Sequence, residues 1–192
     1  MKEIRLHGRG GQGVAIAAEV LAGAFVIEGR HAAAFPMFGA ERRGAPIMAF
    51  VRFDDQPILE KTQIYTPDCL IVTDPVMWTK PAIYAGLKPG GILVVNAPRA
   101  VAESPDPNVG LIGSIDATRI ALKEVGIPVT NTCMLGAFAR TTGWLKMESL
   151  LLRMRDYFQG EGLEKNMKAI ARGYEEVKPV EVKGSRLGAL SN

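Results

Sequence analysis

Ile4-Arg5-Leu6-His7-Gly8-Arg9-Gly10-Gly11-Gln12-Gly13-Val14-Ala15-Ile16-Ala17-Ala18-Glu19-Val20-Leu21-Ala22 carries three local patterns in succession. Ile4 and Leu6 alternate with Arg5 and His7, the period-two signature of a short strand. Val14 to Ala22 is rich in helix formers and apolar on nearly every side, as a helix packed on a sheet requires. Between them, Gly8 to Gly13 supplies a turn. Strand, glycine loop and buried helix are the opening of a βαβ unit. Gly8, Gly10 and Gly13 fit G-x-G-x-x-G, a spacing that lets backbone amides approach an anion at a helix N-terminus. The dinucleotide form of that loop also needs a carboxylate ending the second strand. Glu28 has roughly the right distance along the chain but falls at the helix end. The second strand, expected around His31 to Phe35, closes in Ala34-Phe35-Pro36 with no acid. The glycine pattern alone therefore leaves open a dinucleotide, another phosphate-bearing ligand, or a packing or subunit contact.

Further along, Ile47 to Phe53 is β-rich, and Asp54-Asp55-Gln56-Pro57 reads as a turn into Ile58-Leu59, giving a hairpin. Cys69 to Thr73 and Ile92 to Val95 are unbroken apolar runs, as in strands buried on both faces. Asp74-Pro75 closes the first of these, and a short helix is expected over Val76 to Leu87. Pro98, Pro105 and Pro107 mark a loop, Val109 to Ile115 a strand and Ala117 to Val125 a helix. Asn131 is placed to cap a helix running to about Thr142, with Cys133, Met134, Leu135 and Phe138 on its buried side. Lys146 to Phe158 and Leu163 to Val177 read as amphipathic helices. This alternation predicts an α/β fold: a Rossmann-like open, mainly parallel sheet with helices on both faces and a β-hairpin after the Arg42/Arg43 loop. Residues 1–180 are expected to form a single domain, with 181–192 a C-terminal tail that crosses onto a neighbour or stays mobile.

Phe35-Pro36-Met37-Phe38-Gly39-Ala40-Glu41-Arg42-Arg43-Gly44-Ala45-Pro46 is a loop by its prolines and glycines. It carries three large apolar side chains where loops ordinarily carry few. We read it as a binding surface, with apolar anchors and with Arg42 and Arg43 forking onto carboxylate or phosphate, rather than as a self-packed loop. An open α/β sheet puts its ligand crevice where such strands end.

Together, His7 to Gly13 and Phe35 to Pro46 resemble the gamma subunit of the 2-oxoacid:ferredoxin oxidoreductases, of which pyruvate:ferredoxin oxidoreductase (pyruvate synthase) is a member. The likeness continues through Met48-Ala49-Phe50-Val51-Arg52, Leu70-Ile71-Val72-Thr73-Asp74-Pro75 and Asn131 to Ala139, spanning about residues 3–180. The resemblance implies a share in the reaction 2-oxoacid + coenzyme A + oxidised ferredoxin → acyl-CoA + CO₂ + reduced ferredoxin. It implies partner subunits of alpha, beta and delta type that hold thiamine diphosphate, Mg and [4Fe-4S] clusters, and single-chain relatives in which the gamma part is an internal domain. It leaves this chain as structural support, with a role in closing the active site and holding coenzyme A, and with no catalytic residue of its own. Gly8, Arg9, Gly10, Gly11, Gln12, Gly13, Phe38, Glu41, Arg42 and Arg43 are its expected ligand or subunit-contact residues, lying together at one sheet edge.

Composition agrees with a dependent subunit. The chain has 192 residues, 47% hydrophobic and 22% charged, which fits one globular domain and excludes a disordered chain. Its 23 basic and 20 acidic residues leave a charge of +3, too little excess for a dedicated nucleic-acid binder. Cys69 and Cys133 are the two cysteines and His7 and His31 the two histidines, too few for an iron–sulfur cluster or an all-protein zinc site. No Gly-Asp-Gly, the usual thiamine diphosphate signature, occurs. The N-terminus is charged, and the longest apolar stretch, Val14 to Ile27, is interrupted by Glu19 and shorter than a membrane span. The expected location is the cytoplasm, with no membrane contact. The competing readings are a complex acting on an aryl 2-oxoacid such as phenylglyoxylate or indolepyruvate with another electron acceptor, a stand-alone nucleotide-binding protein, and a non-catalytic interaction module.

Overall fold

The computed structural model describes residues 1–37, 44–60 and 62–182. Among them the elements run β1 (Lys2–Arg9), α1 (Val14–Ile27), β2 (His31–Met37), β3 (Pro46–Asp54), β4 (Cys69–Val72), β5 (Gly91–Asn96), β6 (Val109–Ile115), α2 (Ala117–Glu124), α3 (Asn131–Thr142), α4 (Met147–Met154), α5 (Gly160–Glu176) and β7 (Lys178–Glu181). All seven strands lie in one sheet of order β2-β3-β1-β4-β5-β6-β7. β1, β4, β5 and β6 pair in parallel, while β3 is antiparallel to both β1 and β2. β2 therefore runs the same way as β1 with β3 inserted between them, so β1-α1-β2 is a split βαβ unit. Five of these strands point in one direction, with β3 and β7 reversed. The mixed, mostly parallel α/β fold is the expected one, but the α-helices are not on both faces as expected: all five pack against one face.

Period-two alternation decides which side chains each face receives. Ile4, Leu6, Ala49, Val51, Phe53, Cys69, Ile71 and Val94 pack with all five α-helices into the main core, which includes the stacked rings of Phe25 and Phe53 at 3.8 Å between centroids. Leu70, Val72, Leu93, Val95 and Ile112 face the other way, against Ile83, Tyr84 and Leu87. That second face is covered by two 3-10 turns, Met77–Thr79 and Pro81–Tyr84, where the sequence predicts one short helix over Val76 to Leu87. Pro81 has no N–H to continue a helix through the segment, and it starts the second turn instead.

The hairpin also differs from expectation. Its arms are β2 and β3, on either side of the Arg42/Arg43 loop, with Phe35 opposite Phe50 and Met37 opposite Met48. Ile58 and Leu59 are not a strand, because both edges of β3 are already taken and Leu59 is 89% exposed. β7, unmarked by any pattern in the sequence, crosses the expected domain–tail boundary and pairs Lys178 with Ser114 and Glu181 with Leu111. The remainder of the expected tail, 183–192, lies outside the described residues.

Candidate functional site

β1, β2, β4, β5 and β6 all end at one pole of the sheet, and the shared direction of these strands brings the glycine loop, the start of β3 and the segment after β4 together there. Gly13 takes φ +71° at the start of α1, in the left-handed region that L side chains rarely enter. A Cβ there would stand 2.4 Å from Asn131 Nδ2 at the start of α3. Glycine thus lets two helix N-termini approach each other, and Asn131 Nδ2 donates to the Gly13 carbonyl at 3.4 Å. Thr130, not Asn131, is the residue preceding α3; the Asn131 side-chain oxygen accepts from the Thr132 amide beside it.

The glycine loop is tied to both of its neighbours. The Gly10 N–H donates to the Ala45 carbonyl at 2.9 Å, and the Gly44 N–H donates to the Gly10 carbonyl at 3.3 Å. The Arg9 main-chain N–H donates to Gln12 Oε1 at 2.8 Å, which also lies 3.0 Å from the Thr73 hydroxyl. The Arg9 side chain donates from Nε to Asp74 Oδ2 at 2.8 Å and from Nη1 to the Gly44 carbonyl at 3.2 Å. Gly8, Arg9, Gly10, Gly11, Gln12 and Gly13 are therefore one unit, joined to the C-terminal end of the Phe35–Pro46 loop. Phe38, Glu41, Arg42 and Arg43 lie outside the described residues.

Beside this unit runs a mostly apolar cleft of about 410 Å³, lined by Ile16, Ile47, Val125, Ile127 and Phe158, with Arg9 at its margin. Asn131 and Asn166 supply its polar lining. Asn166 accepts from the Thr132 hydroxyl at 3.1 Å and donates to the Gly162 carbonyl at 2.8 Å. Sequence reading takes Thr73 as a strand end, Asp74 as the close of that strand and Asn131 as a helix cap, and passes over Asn166; it expects none of the four as a site residue. The one signal for Asp74 is its position directly after a buried parallel strand, where open α/β sheets carry their ligands.

Other candidates resolve differently. Glu28, the only carboxylate near dinucleotide spacing, accepts from the Lys146 N–H and the Ser149 hydroxyl, both at 2.8 Å. It is occupied at the start of α4, 118 residues away, and does not line the cleft at the glycine loop. His7 is buried and accepts from Arg5 Nε at 3.0 Å; burial first, and the Arg5 charge second, push its pKa down to about 3. Burial pushes the Cys133 thiol up to about 12 and raises Cys69 well above its ordinary value. Both are free, buried thiols held in the unreactive protonated form. Among the described residues no three His, Cys, Asp or Glu side chains group as metal ligands would, and no helix is long and apolar enough to cross a membrane.

A mostly parallel α/β sheet whose glycine loop is bonded to the start of β3 at the carboxyl pole defines the class. The chain belongs to the pyruvate ferredoxin/flavodoxin oxidoreductase family, whose family model matches residues 3–176, and within it to the gamma-subunit type. It is 48% identical over 185 residues to the "Pyruvate/ketoisovalerate oxidoreductases common subunit gamma" of Pyrococcus abyssi, covering 95% of this chain and 100% of that protein. It is 47% identical over 179 residues to the "NADH-dependent phenylglyoxylate dehydrogenase subunit gamma" of Aromatoleum evansii, covering 92% and 94%. Among solved structures, the pyruvate oxidoreductase subunit PORC of Thermotoga maritima superposes with a TM-score of 0.83 at 39% identity, covering 94% of this chain and 98% of that one.

Proposed function

We propose that this chain is the gamma subunit of a complex that oxidatively decarboxylates pyruvate or a related 2-oxoacid onto coenzyme A, passing two electrons to ferredoxin or another acceptor. Its own share is support of the assembly, closure of the active-site cavity and a contact with the phosphates of coenzyme A. The observation that carries this reading is the junction of the glycine loop with the β2–β3 loop, fastened through Gly10, Gly44 and Ala45, with a half-exposed arginine fixed at the seam.

Two buried thiols in the whole sequence do not fit a [4Fe-4S] cluster, and no thiamine diphosphate signature is present. The residues of this chain suit neither group, and both belong with alpha, beta and delta-type partners, together with Mg. The chain by itself is then inactive, and its location is the cytoplasm. Substrate choice belongs with whichever subunits enclose the 2-oxoacid. The near-equal identity to a phenylglyoxylate dehydrogenase subunit that its name couples to NADH supports, as a second reading, an aryl 2-oxoacid and a non-ferredoxin acceptor.

Charge reversal tests the contact surface. The double variant Arg42→Glu, Arg43→Glu, co-expressed with its partner subunits, is expected to lower the yield of assembled complex or to raise the KM for coenzyme A. Unchanged assembly together with an unchanged KM refutes the surface.

A further inference from the structure

We propose that Asp74 is a positioning residue that holds the Arg9 guanidinium toward an incoming anionic group at the glycine-loop pole. This rests on the reading of that pole as the contact for coenzyme A phosphates. Asp74 follows β4 closely and is 6% exposed. Its two oxygens have separate tasks. Oδ1 accepts from the Val76 and Met77 amides at 3.0 and 3.1 Å, closing the turn that follows the strand. Oδ2 accepts from Arg9 Nε at 2.8 Å. The carboxylate is thus immobilised by backbone before it meets the arginine.

Arg9 is held from three sides. Gln12 takes its main-chain N–H, Asp74 takes Nε, and the Gly44 carbonyl takes Nη1. Nη2 has no hydrogen-bond partner among the described residues, and the side chain remains 42% exposed. A half-buried Asp–Arg pair adds little net stability, because desolvating the carboxylate and ordering a long side chain offset much of the attraction. Here the ordering itself is the result: a guanidinium anchored through Nε and Nη1, lining the same cleft as Gly11 and Gly13 and suited to phosphate geometry.

Asp74→Asn separates the two tasks. The asparagine carbonyl oxygen keeps the Val76 and Met77 amides, while its NH₂ meets Arg9 Nε donor to donor. In the assembled complex, Asp74→Asn is expected to raise the KM for coenzyme A roughly tenfold, the scale of one lost charge-assisted hydrogen bond, with kcat within about twofold. Arg9→Ala should raise KM at least as far, and the double variant should be no worse than Arg9→Ala alone. Arg9→Lys keeps the charge but cannot bind Asp74 and present a second nitrogen, so it should resemble Asp74→Asn; this arm decides the matter if Asp74→Asn fails to assemble. An Asp74→Asn effect that persists in full on the Arg9→Ala background, or Arg9→Lys at the wild-type KM, overturns the positioning role. If Arg9→Ala raises KM and Asp74→Asn does not, positioning is overturned while the phosphate contact stands. If Arg9→Ala is silent, the phosphate contact itself fails and positioning falls with it.

Discussion

At Gly13, one missing Cβ serves both backbone conformation and helix–helix approach, and the two can be separated by comparison with Gly11. Gly11 also has positive φ, +94°, yet a Cβ there would meet nothing within 4 Å. Gly11→Ala should cost on the order of 1 kcal/mol, the strain of a non-glycine left-handed residue. Gly13→Ala adds a collision with Asn131 and should cost about 3 kcal/mol, or roughly 6–12 °C in Tm for a chain of this size. Equal losses measured by thermal or urea unfolding would show that the Asn131 approach is unimportant. The glycines were legible because their spacing is local. Asp74 and Asn131 were not, since what they do depends on Arg9 and Gly13, 65 and 118 residues away, and nothing in the intervening chain encodes that meeting. Glu28 was legible only as a candidate with the wrong task; its partners at Lys146 and Ser149 are equally remote.

Among the elements, β1 carries unusual content on its thinner side. Arg5 and His7 face away from the main core, and Arg5 donates to the Ile83 and Ala85 carbonyls at 2.7 and 2.9 Å, fastening the second 3-10 turn to the sheet. His7 is the acceptor that completes this arrangement, and a protonated imidazole cannot accept. Its folded pKa of about 3 lies below the unfolded value near 6.5, so between those values the unfolded chain binds the extra proton. Stability contributed by neutral His7 is therefore complete above about pH 6.5 and is lost as pH falls, amounting to about 2 kcal/mol between pH 7.5 and 5. His7→Gln keeps an acceptor for Arg5 without titrating, and its urea-unfolding stability should lack that drop. A wild-type and a variant profile that run parallel over this range would refute the assignment. Most strands and helices were readable because alternation and helical periodicity follow burial, as in β4, where Cys69 and Ile71 enter one core and Leu70 and Val72 the other. The pairing of β3 with β2 was not readable, because both candidate arms satisfy the same local pattern and only the sheet order decides between them. β7 escaped for a related reason: all four residues of Lys-Pro-Val-Glu are exposed and the strand is held by its ladder with β6 rather than by a buried face.

On the scale of the whole molecule, the direction of the strands sorts the chain into two ends. Lys2 pairs with Phe53 at the start of β1, and the Met1 amino group pairs with Asp54. β7 returns toward that same end, with Val182 donating to the Gly110 carbonyl at 3.0 Å. Arg9, Gly44 and Asp74 sit at the other end, separated by the length of an eight-residue strand, about 25 Å. The described chain has both its exits, at Met1 and Val182, on the side remote from the seam. A bulky fluorescent protein grafted at either exit should leave complex assembly and the coenzyme A KM unaltered, whereas the same graft between residues 38 and 43 should abolish at least one of them. Evolution or an engineer can consequently lengthen, tether or splice this unit from its handle without crowding the surface it offers, which makes it a natural plug-in cartridge within a longer polypeptide.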